Sequence, residues 1–329
     1  MYDFVAIGET AIDAFIKLET ANVSCDIDNE NCRICMPFAA KVPYELAVEV
    51  PAVANAGNAA VAASRLGLKS ALVANIGKDT DGEKCLASLQ QDGVSTEFVG
   101  IQEGKKTNYH YVLWYGNDRT ILQKHTDFDY QMPDIGEPSW VYLTSLGEGS
   151  LDLHAKIARH LDSHPVTKLA FQPGIFQIKF GKEQLREIYE RTEIFFSNIE
   201  EAEKILGIGQ GSTLPPSELL EKIAALGPKM VVLTDGPKGA YVFDGANKWF
   251  VPAYPDPKRP YERTGAGDAF ASTIVAALAF GKPLTEALLW GAVNSMSVVQ
   301  QIGAQKGLLT KEEIEKYLIN ASEFSLRPL

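Results

Sequence analysis

The sequence Y-E-R-T-G-A-G-D-A-F at residues 261–270 joins a turn of small residues to a helix-forming segment. The turn, residues 264–267, carries little side chain, and residues 269–280 that follow it are almost all apolar or small. Such a turn points backbone N–H groups at one place and adds the positive end of a helix dipole, which together favour an anion. The stretch therefore predicts an anion site at the start of a buried helix.

Asp268 suggests the chemistry of this anion site. A carboxylate at the mouth of the site would repel an anion unless it served a purpose there. The simplest purpose is to take the proton from a hydroxyl that attacks a phosphoryl group held by the turn, which predicts a kinase. The alternative is that Asp268 is only a helix N-cap, and the turn by itself does not decide between the two.

Composition and charge limit the possible partners. The chain has 329 residues, 46% of them hydrophobic, which suits one large α/β domain or two ordinary ones. Its formal net charge of −11 argues against a nucleic acid or an anionic membrane as partner. The N-terminus lacks the features of a signal peptide, and no apolar run reaches about 18 residues, so we expect a soluble, cytoplasmic protein.

Apolar strands alternate with helical patterns along most of the chain, which predicts an α/β fold with a doubly wound, mostly parallel sheet flanked by helices. Ligands of such sheets bind where the strands end, which here includes Gly8, Asn198 and Thr234. The predicted strands are 4–7, 70–76, 140–144, 169–172, 194–197 and 230–234, with a hairpin over 240–251. The predicted helices are 58–66, 83–91, 151–161, 183–191, 200–206, 217–226, 269–280 and 285–301.

A second, smaller sheet is predicted from segments that alternate apolar and polar residues. These segments are 12–17, 33–50, 98–101 and 108–113, and they predict a half-exposed antiparallel sheet. We expect a single domain over residues 1–329, with lid segments at approximately 12–52 and 97–126 inserted in the α/β core. The apolar face of such a sheet can pair with its copy in another subunit, so a homodimer through the lid is possible.

The four cysteines allow two interpretations. Cys25, Cys32 and Cys35 cluster in the first lid segment, whereas Cys85 stands apart. A zinc site would need a second ligand pair at the usual spacing, which is absent. We therefore expect reduced structural thiols, as is usual in the cytosol.

Several short motifs occur in an order that resembles the ribokinase-like, phosphofructokinase B type (PfkB) family of sugar and nucleoside kinases. The motifs beside T-G-A-G-D are N-A-A-V-A-A-S-R-L-G at 58–67, G-K-D-T-D-G at 77–82, R-T at 119–120, N-I-E-E at 198–201 and T-D-G-P-K-G-A at 234–240. The resemblance implies that Asp268 is the general base and that the amides of Gly265, Ala266 and Gly267 form its anion hole. It also implies that Asn198 and Glu201 organise Mg²⁺ and the triphosphate. As a bare residue, Asn198 could instead be a helix N-cap.

The same resemblance implies the remaining ligand contacts. Substrate hydroxyls would be bound by Asp13, Asn55 and Asn58, although Asp13 and Asn58 could also be a solvated charge and a helix cap. ATP would be bound by Thr234, Gly236, Gly239, Thr264 and Asn294. Asn294 could equally be a satisfied packing contact.

Two departures from the family pattern affect these expectations. Glu262 and Arg263 replace the usual Asp-Thr near the site where many relatives bind a monovalent cation, so such a cation is doubtful here. Arg263 could supply the missing positive charge or contact the substrate phosphates, or it could pair with a surface carboxylate. Val53 and Ala54 replace the usual Gly-Gly before the first helix, which would alter the lid hinge.

These observations predict an ATP- and Mg²⁺-dependent kinase acting on a hydroxyl of a sugar or a sugar-containing small molecule. A nucleoside kinase on the same scaffold is the main alternative. A dehydrogenase is disfavoured because the first strand ends in G-E-T-A and not in G-x-G-x-x-G. A catalytically silent sugar-binding regulator is less favoured because Asp268, Asn198 and Glu201 are all present.

Overall fold

The computed structural model describes residues 1–25, 32–116, 118–209 and 214–329. Parts of the two predicted lid segments, at 26–31 and 117, lie outside the described residues. In chain order the strands are β1 Phe4–Ile7, β2 Ala11–Leu18, β3 Asn22–Ser24, β4 Arg33–Cys35, β5 Tyr44–Val53, β6 Ser70–Gly77, β7 Val99–Gln102, β8 Asn108–Tyr115, β9 Asp118–Leu122, β10 Trp140–Leu143, β11 Lys168–Phe171, β12 Thr192–Asn198, β13 Met230–Thr234, β14 Ala240–Phe243, β15 Lys248–Val251 and β16 Arg327–Pro328.

The helices flank the large sheet or join its strands. They are α1 Asn55–Arg65, α2 Thr80–Gln91, α3 Leu151–Ser163, α4 Ile175–Gln184, α5 Arg186–Arg191, α6 Ile199–Leu206, α7 Pro216–Ala224, α8 Ala266–Ala279, α9 Leu284–Val298 and α10 Lys311–Asn320. Within the described ranges, no helix combines the length and apolar character needed to cross a membrane.

The large sheet has ten strands in the order β16-β15-β14-β13-β12-β11-β10-β1-β6-β7. The seven strands from β13 to β7 run parallel, and β14 to β16 extend one edge antiparallel. The central strands are buried on both sides, which explains why their sequences are almost entirely apolar. The predicted doubly wound, mostly parallel sheet with flanking helices is confirmed.

The small sheet has the order β5-β2-β8-β9 and forms the lid. The predicted small sheet is confirmed, and its outer pairs, β5 with β2 and β8 with β9, are antiparallel as expected. The central pair departs from the prediction, because β2 and β8 pair in parallel. The chain returns to β2 only after the intervening unit of α1, β6, α2 and β7, so the two strands run in the same direction. This register places Asp13 opposite His110.

Residues 98–101, predicted for the exposed sheet, belong mostly to β7 at the edge of the large sheet. β7 pairs in parallel with β6, and its residues are half-buried or exposed. An edge strand is partly solvated, so its alternating pattern resembles that of the lid. Two helices were not predicted. The first is α4, which is interrupted by Gly181 at a φ of 81°, and the second is α10, whose capping box joins Thr310 and Glu313.

The expectation of reduced thiols throughout the cysteine cluster is also wrong. Cys25 and Cys32 form a disulfide, while Cys35 is exposed and free and Cys85 is buried and free. The hairpin of β3 and β4 explains the bond, since its register ends with Ser24 opposite Arg33 and so brings the next residues together. Among the described residues, no group of three or more His, Cys, Asp or Glu side chains could hold a metal ion.

The junction between the lid and α1 has an unusual backbone. Ala52 and Ala54 adopt left-handed φ angles of 60° and 70°, a region that favours glycine. Ala54 combines this φ with a ψ of 166°, which is almost confined to glycine. The chain therefore keeps a glycine-like turn at this hinge without a glycine.

Candidate active site

Asp268 lies in the first turn of α8, directly after the small-residue turn. α8 begins at Ala266, and Gly265 caps it in the left-handed conformation at a φ of 81°. A Cβ on Gly265 would lie 2.2 Å from the Cβ of Ala304, so glycine is needed here. The amide of Ala266 makes a long, 3.5 Å contact with the carbonyl oxygen of Arg263. The N-terminus of this helix therefore opens onto the cleft described below.

Three amide side chains hold the carboxylate of Asp268. Asn58 donates from Nδ2 to Oδ2 at 2.8 Å, Asn55 donates to Oδ1 at 2.8 Å, and Gln172 donates to Oδ1 at 3.3 Å. Burial raises the pKa of Asp268, the three amides oppose this, and the negative charge of Asp13 adds to the rise. The carboxylate is thus half-buried and oriented, and it is a stronger base than an exposed aspartate.

Helix α1 explains the position of two of these amides. Asn55 and Asn58 are three residues apart and share a helix face, and α1 packs against α8. The third amide belongs to Gln172, which follows β11. Its side-chain oxygen, Oε1, accepts a hydrogen bond from the hydroxyl of Tyr142 on β10. Asn55 and Asn58, which were predicted to bind the substrate, therefore donate hydrogen bonds to Asp268, the predicted base.

Two carboxylate–histidine pairs lie where the chain passes from β1 into the lid. Asp13 and His110 are buried, with Oδ1 and Nδ1 3.2 Å apart. Glu9 is also buried and lies 3.1 Å from Nδ1 of His125, and the Nδ2 of Asn108 contacts the same Glu9 oxygen at 3.4 Å. The hydrogen bond with Glu9 raises the pKa of His125, although partial burial opposes the rise.

A large open cleft of about 690 Å³ lies on the other side of the turn. It reaches from Ala266 and Gly267 to the end of β13, and the lid residue Arg119 also lines it. The predicted nucleotide and phosphate contacts that line the cleft are Asn198, Thr234, Gly236, Gly239 and Arg263. The cleft is thus continuous with the anion-binding turn.

Asn198 and Glu201 form a capping box at the start of α6. Asn198 accepts from the Glu201 amide at 2.8 Å, and Glu201 accepts from the Asn198 amide at 3.0 Å. The N-cap role considered for Asn198 is therefore present together with its position at the cleft. Burial raises the pKa of Glu201, and the negative charge of Asp268 contributes to the rise. The two acidic groups are thus close enough to interact electrostatically.

The departure at Glu262 has a structural explanation. Glu262 is fully buried, and its Oε1 accepts hydrogen bonds from the amide of Thr264 at 2.8 Å and from its hydroxyl at 2.6 Å. The Nε of Arg119 on the lid lies 3.8 Å from the same oxygen. Arg263 lines the cleft, and its charge opposes the rise that burial causes in the pKa of Asp256. Glu262 therefore links the lid to the anion-binding turn.

Two predicted nucleotide ligands, Thr264 and Asn294, are absent from the described lining of the cleft. Thr264 is buried and directs both its amide and its hydroxyl at Glu262, as described above. Asn294 is fully buried, donating to Oγ1 of Thr273 at 2.8 Å and accepting from the amide of Leu309 at 2.9 Å. Its neighbours Ser295 and Met296 line the cleft in its place. Asn294 is thus a packing contact between helices, because its position on α9 turns it away from the cleft.

The sequence analysis missed four residues of this site: Gln172, His110, His125 and Arg119. Gln172 and His125 lie outside the motifs used for the prediction. His110 lies in a lid strand whose neighbour could not be deduced from periodicity. Arg119 belongs to the R-T motif at 119–120, and this motif was the one sequence signal for any of the four residues.

The fold and the site together define a phosphotransferase with a hydroxyl acceptor, and comparisons with known proteins agree. Residues 55–311 match the model of the pfkB family of carbohydrate kinases, and the chain belongs to this family. It is 28% identical to the cytidine kinase of Thermococcus kodakarensis over 92% of this chain and 98% of that protein. It is 26% identical to the ribokinase of Bacillus subtilis over 79% of this chain and 85% of that protein.

A solved structure of Arabidopsis thaliana ribokinase, complexed with ribose and ATP, has the same fold. The TM-score is 0.76, with coverage of 96% of this chain and 98% of that one. At 18% identity, this similarity shows the fold alone.

Proposed function

We propose that this protein transfers the γ-phosphoryl group of ATP to a hydroxyl of a sugar or a sugar-containing small molecule, with Asp268 as general base. The observation that supports this proposal most directly is the position of Asp268. Its half-buried carboxylate lies in the first turn of α8, directly after the small-residue turn whose Ala266 and Gly267 line the cleft.

The carboxylate accepts the proton of the attacking hydroxyl. Its burial makes it basic enough for this step, while Asn55, Asn58 and Gln172 keep it in one orientation. The amides of Gly265, Ala266 and Gly267, at the positive end of α8, stabilise the negative charge that spreads over the transferred group. Thr234, Gly236 and Gly239 lie along the nucleotide in the cleft. Closure of the lid excludes water, which would otherwise compete with the acceptor.

Mg²⁺ fits the donors near the cleft. Glu201 supplies a carboxylate and Asn198 an amide oxygen at the start of α6, and Mg²⁺ prefers oxygen ligands while keeping several of its waters. The acidic pair of Glu201 and Asp268 gives this region the excess negative charge that a divalent cation neutralises. Asn198 and Glu201 would hold the ion, mainly through water. When bound, the ion neutralises phosphate charge during transfer.

A nucleoside is the second candidate acceptor, because the match to the Thermococcus kodakarensis cytidine kinase extends over nearly the whole chain. The test is a coupled assay with ATP and Mg²⁺ against D-ribose, D-fructose, adenosine and cytidine. We expect turnover of at least one acceptor, and Asp268→Asn should lower kcat on the order of a hundredfold or more while ATP still binds. Near wild-type turnover by Asp268→Asn would show that Asp268 is only a structural residue of the helix.

The proposed assembly is a homodimer through the outer face of the lid. Tyr111 on β8 and Leu122 on β9 lie opposite each other and are 48% and 52% exposed. An exposed apolar sheet face of this kind is a candidate for pairing with a second copy. Light scattering should give twice the monomer mass, and Tyr111→Lys should return it to that of the monomer.

A further inference from the structure

The ring of His110 has one nitrogen that is paired and one that is not. Its Nδ1 lies 3.2 Å from Oδ1 of Asp13, and both side chains are buried. An ionised carboxylate only accepts hydrogen bonds, so the Nδ1 of His110 carries the hydrogen. In the neutral ring, this tautomer leaves Nε2 with a lone pair that can accept a hydrogen bond.

That second nitrogen is buried and has no hydrogen-bond partner among the residues that the structure describes. An unpaired buried polar atom destabilises the folded protein, so each such atom needs an explanation. For His110 the explanation is suggested by its neighbours. Asp13, which it contacts, lies on β2, and β2 pairs with β5 so that Ala11 is opposite Val53, two residues before α1 begins. Asn55 and Asn58 of α1 hold the carboxylate of Asp268, and the negative charge of Asp13 contributes to the raised pKa of that carboxyl. His110 therefore belongs to the acceptor side of the site.

We propose that His110 is a specificity-determining residue whose Nε2 accepts a hydrogen bond from a hydroxyl of the acceptor molecule. This inference rests on the proposed kinase function and refines its substrate class. Asp13 and His110 stand side by side in the parallel register of β2 and β8, so they present two hydrogen-bond acceptors at neighbouring positions. The complementary ligand is a polyol with two adjacent hydroxyl groups, such as a sugar or the ribose of a nucleoside.

A deoxy analogue of such a ligand should be rejected. It would occupy the site and leave Nε2 of His110 buried without a hydrogen-bond partner. A site built to bind a hydroxyl discriminates strongly against a ligand that lacks it, because the polar group of the protein then stays unpaired. The prediction is a preference for the hydroxylated acceptor of at least about tenfold in kcat/KM.

Two substitutions separate contact with the acceptor from simple positioning of Asp13. In His110→Asn, the amide nitrogen takes the place of Nδ1, so the donor to Asp13 is kept and the Nε2 acceptor is lost. In His110→Gln, the longer side chain places its amide near Nε2 and removes the donor to Asp13. Tyr111→Phe is the matched control, because the next residue of β8 points to the exposed face of the lid.

The acceptor pairs are D-ribose with 2-deoxy-D-ribose, and adenosine with its 2′-deoxy and 3′-deoxy analogues. We expect His110→Asn to reduce the preference for the hydroxylated member toward one, mainly by lowering kcat/KM for that member. The Tyr111→Phe variant should keep the wild-type preference. If His110 only positioned Asp13, His110→Asn would retain the preference, and that outcome would overturn the inference.

A failure of the proposed kinase function can be distinguished from a failure of the inference about His110. If wild-type enzyme phosphorylates none of these acceptors, the kinase assignment to this substrate class fails first. Calorimetric binding of the same pairs then tests His110 separately. Equal affinity of wild type and His110→Asn for the hydroxylated members, or no binding by either, would overturn the inference. Thermal unfolding of each variant shows whether a change arises from loss of folding instead.

Discussion

Asn58 donates from Nδ2 to Oδ2 of Asp268 at 2.8 Å, which joins α1 to α8 across 210 residues of sequence. The other carboxylate oxygen, Oδ1, accepts from both Asn55 and Gln172. Oδ2 has one amide partner and Oδ1 has two, so Oδ2 keeps the greater capacity to accept a proton. We therefore expect Oδ2 to be the atom that receives the proton of the acceptor hydroxyl.

Replacing Asn58 should change the pH dependence of the reaction. Its hydrogen bond lowers the pKa of Asp268, so Asn58→Ala should raise that pKa. Activity requires the ionised carboxylate, and the acid limb of the kcat/KM profile should therefore move to higher pH. At neutral pH we expect a loss of about ten- to a hundredfold, since a hydrogen bond to a charged group contributes about 1.5–3 kcal/mol. An unchanged acid limb in Asn58→Ala would contradict the assignment of that limb to Asp268.

The hinge at Ala54 should tolerate, and gain from, a glycine. Its φ of 70° and ψ of 166° lie in a region that costs a residue with a Cβ about 1–3 kcal/mol, whereas glycine adopts it freely. Glycine also loses more entropy on folding, so the net gain of Ala54→Gly should be about 1 kcal/mol. Urea unfolding would measure this gain. The control Ala62→Gly, inside α1, should lose about 1 kcal/mol, and a similar loss in Ala54→Gly would show that no strain is stored at the hinge.

Arg263 lies next to the small-residue turn, and its charge bears on whether the enzyme needs a monovalent cation. We hypothesise that Arg263 at the cleft supplies positive charge that a bound cation would otherwise provide. Exchanging potassium for a bulky organic cation at equal ionic strength should then leave the rate nearly unchanged. Arg263→Ala should lower kcat by more than about tenfold, since an arginine beside the transferred phosphoryl group can contribute about 10³–10⁵.

A control for Arg263 is available on the surface. Arg186 is exposed, pairs with Glu190 within α5, and should be replaceable by alanine without loss of activity. Strong potassium activation of the wild type, together with an active Arg263→Ala variant, would refute the hypothesis. In that case, the contact between Arg119 of the lid and Glu262 would still be a structural effect of having glutamate at position 262.

The pair of Glu9 and His125 should make stability depend on pH. The hydrogen bond with Glu9 raises the pKa of His125 above its ordinary value of 6.5. Its contribution is therefore fully present below the unfolded pKa and is lost as the pH rises through the folded pKa. Urea unfolding should show His125→Asn about 1 kcal/mol less stable than wild type at about pH 5.5. A difference that does not shrink at about pH 9 would show that packing of the ring, and not its charge, is responsible.

Much of the fold could be predicted because its signals are local. The central strands are buried on both faces and their sequences are apolar throughout, and each of β1, β10, β11, β12 and β13 was placed within two residues of its position. Periodicity indicates which face of a strand is buried but not which strand lies beside it. For that reason the parallel pairing of β2 with β8 and the edge position of β7 were missed.

The site was predictable only where a motif named a residue. The motifs brought attention to Asp268, Asn55 and Asn58, and the structure brings these three together. Gln172 and His110 contact the predicted residues through folding alone, and no local pattern marks them. Asn294 shows the opposite limit, because its place in the motif order suggested a ligand contact, whereas its side chain is buried and bonded to Thr273 and to the amide of Leu309.

The bond between Asn58 and Asp268 also has a consequence for how the chain acquires its activity. Asn58 is synthesised 210 residues before Asp268, so the amides of α1 have no carboxylate to hold until residue 268 has been made. Contacts between residues this far apart form late in folding, because the entropy cost of closing a long loop must be met before the contact can stabilise the chain. An incomplete chain can therefore bury much of its parallel sheet and still lack the base. The synthesis of α8 therefore sets the earliest point at which the molecule can react.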